Sequence, residues 1–301
     1  MLAQAQIDFY HEKGYIGVEN VLSAAELAEL RRVTDEFVEK SRAVTQHTDV
    51  FDLEPGHTAE NPRLRRLKDP IKQHPYYDQT LRHPKILDIV SQLIGPGLRS
   101  NGNKLNMKYA EFGSPVEWHQ DWSFYPHTND DLLAVGIALD PMTVENGCLL
   151  VIPGSHKGPV IDHHSKSRGV FVGAVTDEDF TAAGAVPILL DAGGISIHHV
   201  RTLHGSAPNT SPNPRRLLLD QYCAIDAWPI MGFGSWDAFN ATIVRGEPTR
   251  VARVTNVPVR MPVPTGEKGG SIYEIQTMME KRLFSVPAAE KVSIEEKVLA
   301  R

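Results

Sequence analysis

The chain has 301 residues, 41% of them hydrophobic and 23% charged, which fits a folded protein with a sizeable core and excludes a low-complexity chain. Its formal net charge of −6 comes without a basic block, so nucleic acid and anionic membrane are not expected as partners, and a small molecule is. The two cysteines, Cys148 and Cys223, each sit in an apolar run, which predicts buried free thiols and a cytoplasmic setting.

The opening residues show no basic stretch leading into an apolar one, no apolar run reaches membrane-spanning length, and the closing KVLAR is not a peroxisomal address. No targeting signal or membrane span is expected. "IDFYHEKGYIGVENVL" reads as a short helix stopped by Gly14 and a strand from Tyr15 to about Asn20. Ser23 and Glu26 have capping-box spacing ahead of Leu27, Leu30 and Phe37 at helical intervals. Residues 41–77 show little periodicity and are predicted to be a long loop. Pro84 then opens a helix whose apolar face is Ile86, Leu87, Val90, Leu93 and Ile94, ended by GPG.

From "KLNMKYAEF" onward the pattern is short strands between turn residues: LLAVGIALD, CLLVIPGS, AVPILLDAGGISIHH, RRLLLDQYCAI. Helices first and strands after, without βαβ alternation, predict a mainly β (α+β) chain, an antiparallel sandwich or barrel buttressed by N-terminal helices. The expected organisation is a single domain over 1–301: helical support in 1–100, a core in 101–226 with a lid at 157–185, and a C-terminal wrap in 227–301. "SIYEIQTMMEKRLF" is expected as a closing helix.

His119 and Asp121 flank one glutamine in "PVEWHQDWSFYPH", and on a strand they would share a face. That pair alone is weak evidence for a metal. Of thirteen histidines, His204 in "RTLHGSAPNTSPNPRR" stands beside small residues at a strand end. His198 and His199 compete with it. Two histidines and a carboxylate make the facial triad that holds non-haem Fe(II) with open positions. Arg215 opens the strand RRLLLDQY, and its guanidinium suits the far end of a dicarboxylate. Arg216 would face the other way and be structural, and Ser206 shares the face of His204. Asn146–Gly147 and Pro153–Gly154 are turn signals, His156 is expected not to be a ligand, and His163 and His164 are expected to be solvated on the lid.

The HQD motif, the run "DLLAVGIALDPMTVENGCLLVIPGSHKG", and HGSAPNTS followed by Arg215 together resemble the phytanoyl-CoA dioxygenase family of Fe(II)- and 2-oxoglutarate-dependent oxygenases. The opening "FYHEKGYIGVENVLSAAEL" is similar as well. The resemblance implies a double-stranded β-helix, the cupin-type jelly roll. It implies His119, Asp121 and His204 as iron ligands, and Arg215, Ser206 and Gln120 as contacts to 2-oxoglutarate, with Met107 and Lys68 as further contacts. Where many members place a tryptophan on the strand after the HxD motif, this chain has Ile137.

The implied chemistry chelates 2-oxoglutarate on iron, admits O₂, releases succinate and CO₂, and oxidises an unactivated C–H bond of a small organic molecule. Hydroxylation is expected, because halogenating relatives replace the carboxylate that Asp121 retains. Epimerisation, desaturation and ring closure are alternative outcomes. Trp122, Phe124, Tyr125 and Trp228 are expected to line an apolar substrate pocket. Two rival functions use the same residues: a zinc-dependent hydrolase and a non-catalytic jelly-roll binding protein.

Overall fold

Gly14 ends the first helix by leaving it. α1 (Gln4–Lys13) closes with Gly14 at φ 78°, and β1 (Tyr15–Val18) follows directly. A side chain there would need the left-handed region and would also meet His156 Nδ1 at 2.4 Å and Thr202 Oγ1 at 2.6 Å, so only glycine serves. α2 (Ala24–Ser41) opens on the predicted capping box. Glu26 N–H donates to Ser23 Oγ (3.3 Å) and Ser23 N–H to Glu26 Oε2 (2.8 Å), a device contributing about 1 kcal/mol. The structure is a computed structural model that describes residues 1–110, 113–259 and 271–284.

The stretch 41–77, expected as loop, carries β2 (Phe51–Leu53), β3 (Leu64–Lys68), α3 (Pro70–Gln73) and the start of α4 (Pro75–Leu81). Both strands are short, and β3 contains Arg65, Arg66 and Lys68, so neither shows apolar alternation. α5 (Pro84–Ile94) has proline in its first turn and buries all five expected apolar residues together with Ile89.

The strands that follow are β4 (Leu98–Lys108), β5 (Val116–His119), β6 (Leu132–Ala138), β7 (Leu150–Val151), β8 (Val186–Pro187), β9 (Ile195–His199), β10 (His204–Ser206) and β11 (Arg215–Ala224). After them come α6 (Trp236–Ala241), β12 (Ile243–Arg245) and α7 (Ile272–Ile275). Two antiparallel sheets result. The larger has the order β1-β9-β6-β11-β4-β3-β2, with β12 also on β4, and the smaller is β5-β10-β7-β8.

Period-2 alternation divides the larger sheet's faces. Leu105, Met107, Leu133, Val135, Ile137, Leu218 and Tyr222 join Leu30, Val33, Phe37, Ile86 and Val90 in one core against the helices. Ala134, Ala138, Leu217 and Leu219 face the smaller sheet, with Val151, Met142 and Cys148. Ile137 thus points away from the space between the sheets, where the small residues Ala134, Gly136 and Ala138 leave room. The fold is mainly sheet, of α+β type.

Segment 157–185 has little regular structure but is tied down. Val175 N–H donates to Trp118 O (2.8 Å) and Gln276 Nε2 to Gly173 O (2.9 Å), and Val172 and Ala174 are fully buried. The expected closing helix is shorter than its pattern: α7 is one turn, continued by a 3-10 turn at Gln276–Met278. Residues 260–270 and 285–301 of the expected wrap lie outside the described residues. Cys148 and Cys223 are buried and free. Among the described residues no helix is long and apolar enough to cross a membrane.

Candidate functional site

The smaller sheet brings the triad together. In the β5/β10 ladder His204 stands directly opposite His119, and their rings lie 4.0 Å apart. Asp121 arrives differently from the strand geometry expected of it. β5 ends at His119, and Asp121 opens a 3-10 turn, Asp121–Ser123, which swings its carboxylate beneath the imidazoles. Asp121 Oδ1 lies 3.6 Å from His119 Nε2 and 3.9 Å from His204 Nε2.

Both histidines are locked by the carbonyl two residues upstream. His119 Nδ1 lies 2.7 Å from Glu117 O and His204 Nδ1 2.9 Å from Thr202 O. A carbonyl only accepts, so each Nδ1 carries the proton and each Nε2 lone pair faces the shared space, the outer-shell arrangement of a metal-binding imidazole. Burial, then His119 and His198, hold His204 well below the ordinary histidine range. Burial works to raise the Asp121 carboxyl, but His119, His198, His204 and Lys104 overcome it and hold it well below the carboxylate range. A neutral His204 imidazole and an ionised Asp121 carboxylate suit a divalent cation. Ligand atoms of His119, Asp121 and His204 all lie within 4.8 Å of one another, so the donor set fits Fe(II). A second cluster, His47, Asp52 and Glu274, meets the same distance, but His47 Nδ1 accepts from Leu53 N–H and Asp52 pairs with Lys68.

His198 lies beside the triad rather than in it. Its Nε2 is 3.5 Å from Asp121 Oδ2, and neither ring nitrogen has a hydrogen-bond partner among the described residues. His199 turns outward toward Asp130 and His156. His156 packs on the first helix, its Nε2 3.2 Å from His11 O.

Two cavities meet at Asp121. One runs between the sheets past Ser206 to Arg215, walled by Val116, Leu149, Leu217 and Leu219. Arg215 is buried and donates from Nε (3.2 Å) and Nη2 (2.6 Å) to Gly147 O. Ser206 Oγ accepts from Lys108 Nζ at 2.7 Å. Asn106 and Tyr273 line the same cavity, and Asn106 Oδ1 and the Tyr273 hydroxyl have no partner among the described residues. A cationic end, apolar walls and unsatisfied polar atoms suit a short dicarboxylate. Neither Asn106 nor Lys104 stood out in the sequence. The signal was "KLNMK", where Lys104, Asn106 and Lys108 alternate with Leu105 and Met107 on a strand covered on both faces.

The second cavity, of about 240 Å³, is lined by Arg66, Lys104, Phe124, Tyr125, Gln221 and Ile272, among others. Gln221 Nε2 donates to the Tyr125 hydroxyl at 2.6 Å. Burial, then the Asp121 charge, hold that phenol well above its ordinary range.

Several expected contacts lie elsewhere. Gln120 alternates away from the triad and acts as a strut: its Nε2 donates to Arg201 O (2.8 Å) and Pro159 O (3.2 Å), and its Oε1 accepts from Ile161 N–H (2.9 Å). Met107 packs in the helix-side core, on the opposite face of β4 from Asn106. Lys68 is engaged by Asp52 and Thr48 O, both at 2.8 Å. Trp122 is buried in a separate cluster and donates to Pro258 O (2.9 Å). Trp228 sits among Phe233, Trp236 and Phe239. His163, expected to be solvated, is 1% exposed and accepts from Gln120 N–H at 2.9 Å. His164 is part-buried against Asp162. Arg216 pairs with Asp140 and Asp35, away from the site.

A family model described as phytanoyl-CoA dioxygenase (PhyH) matches residues 10–217. The chain is 35% identical over 288 residues to a protein of Stutzerimonas stutzeri named probable alpha-ketoglutarate-dependent hypophosphite dioxygenase, covering 94% of this chain and all of that one. Among solved structures it is similar to the non-heme alpha ketoglutarate dependent carbocyclase SnoK from nogalamycin biosynthesis, with TM-score 0.63 and 25% identity over 83% of this chain and 94% of that one. EctD from S. alaskensis with bound Fe gives TM-score 0.65 at 24% identity, covering 84% and 87%.

Proposed function

From the premise that the chain belongs to the phytanoyl-CoA dioxygenase family, we propose how its residues divide the work of a non-haem dioxygenase dependent on Fe(II), 2-oxoglutarate and O₂. His119, Asp121 and His204 hold the iron. The observation carrying this is the pair of imidazoles that face each other across the β5/β10 ladder, each with Nδ1 bound to a carbonyl and Nε2 toward Asp121. Bound there with 2-oxoglutarate and O₂, iron supplies the oxidising power. Arg215 grips the far carboxylate of the cosubstrate, with Ser206 and Tyr273 beside it. The apolar walls between the sheets exclude water, and Phe124 and Tyr125 border the substrate.

The two antiparallel sheets and the likeness to SnoK support a double-stranded β-helix of the cupin type, buttressed by α1, α2, α4 and α5. The chain acts as one catalytic unit: 1–100 as support, 101–226 as core with 157–185 as its lid, and the described residues after 226 as wrap. Ile272 and Tyr273 support the last assignment, since they border the cavities at Asp121. The buried free thiols favour a cytoplasmic setting.

The reaction is oxidation of a small molecule with release of succinate and CO₂, and hydroxylation of a C–H bond is the proposed outcome. A second reading, hypophosphite as substrate, is favoured by the full-length similarity to the Stutzerimonas protein. A zinc hydrolase would leave Arg215 and Tyr273 without a task. The test is 2-oxoglutarate conversion to succinate in wild type and Asp121→Ala. Conversion requiring Fe(II) and O₂ and abolished by the substitution is expected. Conversion indifferent to Asp121, or hydrolysis supported by Zn²⁺ alone, contradicts the reading.

A further inference from the structure

We infer that Arg66 and Lys104 form an anion seat beside the metal site, and that the substrate is a small anion held there by a carboxylate or phosphorus oxyanion group. The inference rests on the proposed function, since it takes the second cavity as the place where substrate meets the oxidising centre.

The register of β3 and β4 supplies the geometry. Arg66 lies opposite Asn106 and Lys68 opposite Lys104, and paired residues of an antiparallel ladder share a face. Asn106 lines the cosubstrate cavity and Lys104 lines both cavities. Arg66 is therefore delivered to the same face, one diagonal from Lys104.

Charge accounting then separates these two cations from their neighbours. Arg215, Arg216, Lys68 and Lys108 all have hydrogen-bond acceptors in the protein. Arg66 and Lys104 have no hydrogen bond or ion pair among the described residues, and the Arg66 Nε is buried without a partner. The carboxylates facing these cations each have a further partner: Asp52, opposite Arg66 on β2, pairs with Lys68 (2.8 Å), Asp69 pairs with Lys72 (2.8 Å), and Asp121, which the charge of Lys104 helps to keep ionised, belongs to the triad. Asp69 and Asp121 line the cavity with them, and once a metal takes up the Asp121 charge, Arg66 and Lys104 leave the cavity short of negative charge and favour entry of an anion. A guanidinium and an ammonium together supply a planar fork and a point charge for an oxyanion. Tyr125 accepts from Gln221 and directs its hydroxyl toward the Asp121 carboxylate, so it borders the seat without adding to its charge. About 240 Å³ of cavity leaves room for a small oxyanion beside Asp121.

Titration calorimetry on the full chain, under argon with Fe(II) and 2-oxoglutarate, tests this with hypophosphite and acetate as probes and acetamide as the neutral counterpart. At least one anion is expected to bind and acetamide is not; the tighter anion tells phosphorus oxyanion from carboxylate. Arg66→Gln and Lys104→Met should each weaken anion binding at least about tenfold, as loss of a hydrogen bond to a charged group does. Arg66→Lys should recover part of it, and thermal melting verifies that each variant is folded. The affinity for 2-oxoglutarate, read from the visible band of the same samples, should not change in Arg66→Gln, the variant whose side chain lines only the second cavity. The seat is overturned if neither anion binds wild type, if acetamide binds as well as acetate, or if both substitutions leave anion affinity intact. Weakening of 2-oxoglutarate instead would assign the cations to the cosubstrate and also overturn it. Absence of the band in wild type would instead count against the proposed function, and the anion arm repeated without iron would still decide the seat.

Discussion

The two cavities that meet at Asp121 are built on opposite terms. Toward Arg215 the cations are already held by the protein: Arg215 by Gly147 O and Lys108 by Ser206. Toward Arg66 no hydrogen bond among the described residues holds Arg66 Nε or Lys104, which borders both cavities. A pocket whose ligand never changes gains from having its charged groups fixed in advance, because a preorganised group loses little freedom on binding. A pocket whose charges have no internal partner instead leaves its balance to the ligand, which makes binding selective for sign. The difference between the cavities is thus one of when their charges are satisfied.

The largest expected effect strikes the point both cavities share. His204→Ala should lower iron affinity by more than the roughly 10–100-fold that follows loss of an outer-shell partner, measured by metal titration. Next, Arg215→Gln should weaken 2-oxoglutarate by about 2 kcal/mol or more, as truncating one partner of a buried charge pair does, while anion binding at the Arg66 side is unchanged. Equal weakening of both ligands would break the comparison.

A third prediction concerns stability and pH. Asp220, fully buried opposite Asn103, is pushed up to about 8 by burial. Its folded form holds a proton that the unfolded chain releases near pH 4, so its contribution falls as pH rises from about 4 to 8. His127, lowered by burial to about 4, acts oppositely: its contribution is present above about pH 6.5 and lost as pH falls toward 4. Asp220→Asn should raise Tm, more at pH 8 than at pH 5, with a gain on the order of 2 kcal/mol. A gain larger at pH 5 would contradict the assignment.

Smaller still, Gln120→Ala removes a strut and not a cosubstrate contact. It should cost about 1–3 kcal/mol of stability by leaving buried groups unpaired, with 2-oxoglutarate affinity intact in the folded protein. Trp228→Phe should leave substrate and cosubstrate constants unchanged, since Trp228 packs among Phe233, Trp236 and Phe239 away from both cavities.

The same division explains what the sequence made legible. The triad and Arg215 sit on short motifs with chemically distinctive residues, so HQD, HGS and the strand-opening arginine could be read directly. Gln120 lies inside such a motif, but its face is set by the turn after β5 rather than by its neighbours' identity, and it serves as a strut. Met107 differs from the expectation by one residue: the alternation that carries Asn106 into the cavity carries Met107 into the core. Arg66 carries no such signal, because β3 is five residues long, rich in charge, and becomes a strand only through pairing with β4 and β2. The helices α2 and α5 were legible because capping and amphipathic periodicity are local. β3 depends on β4, about 40 residues away in the chain, and β2 depends in turn on β3, and no local pattern announces either pairing.

The central claim is that His119, Asp121 and His204 present one metal to a cosubstrate anchored at Arg215. The most direct measurement is the visible charge-transfer band on adding 2-oxoglutarate to the Fe(II)-loaded chain without oxygen, in wild type, His204→Ala and Arg215→Gln. The account predicts a band in wild type, none in His204→Ala, and a band in Arg215→Gln that needs at least about tenfold more 2-oxoglutarate. A wild-type protein that binds Fe(II) and gives no band, or an Arg215→Gln protein that saturates like wild type, would contradict it.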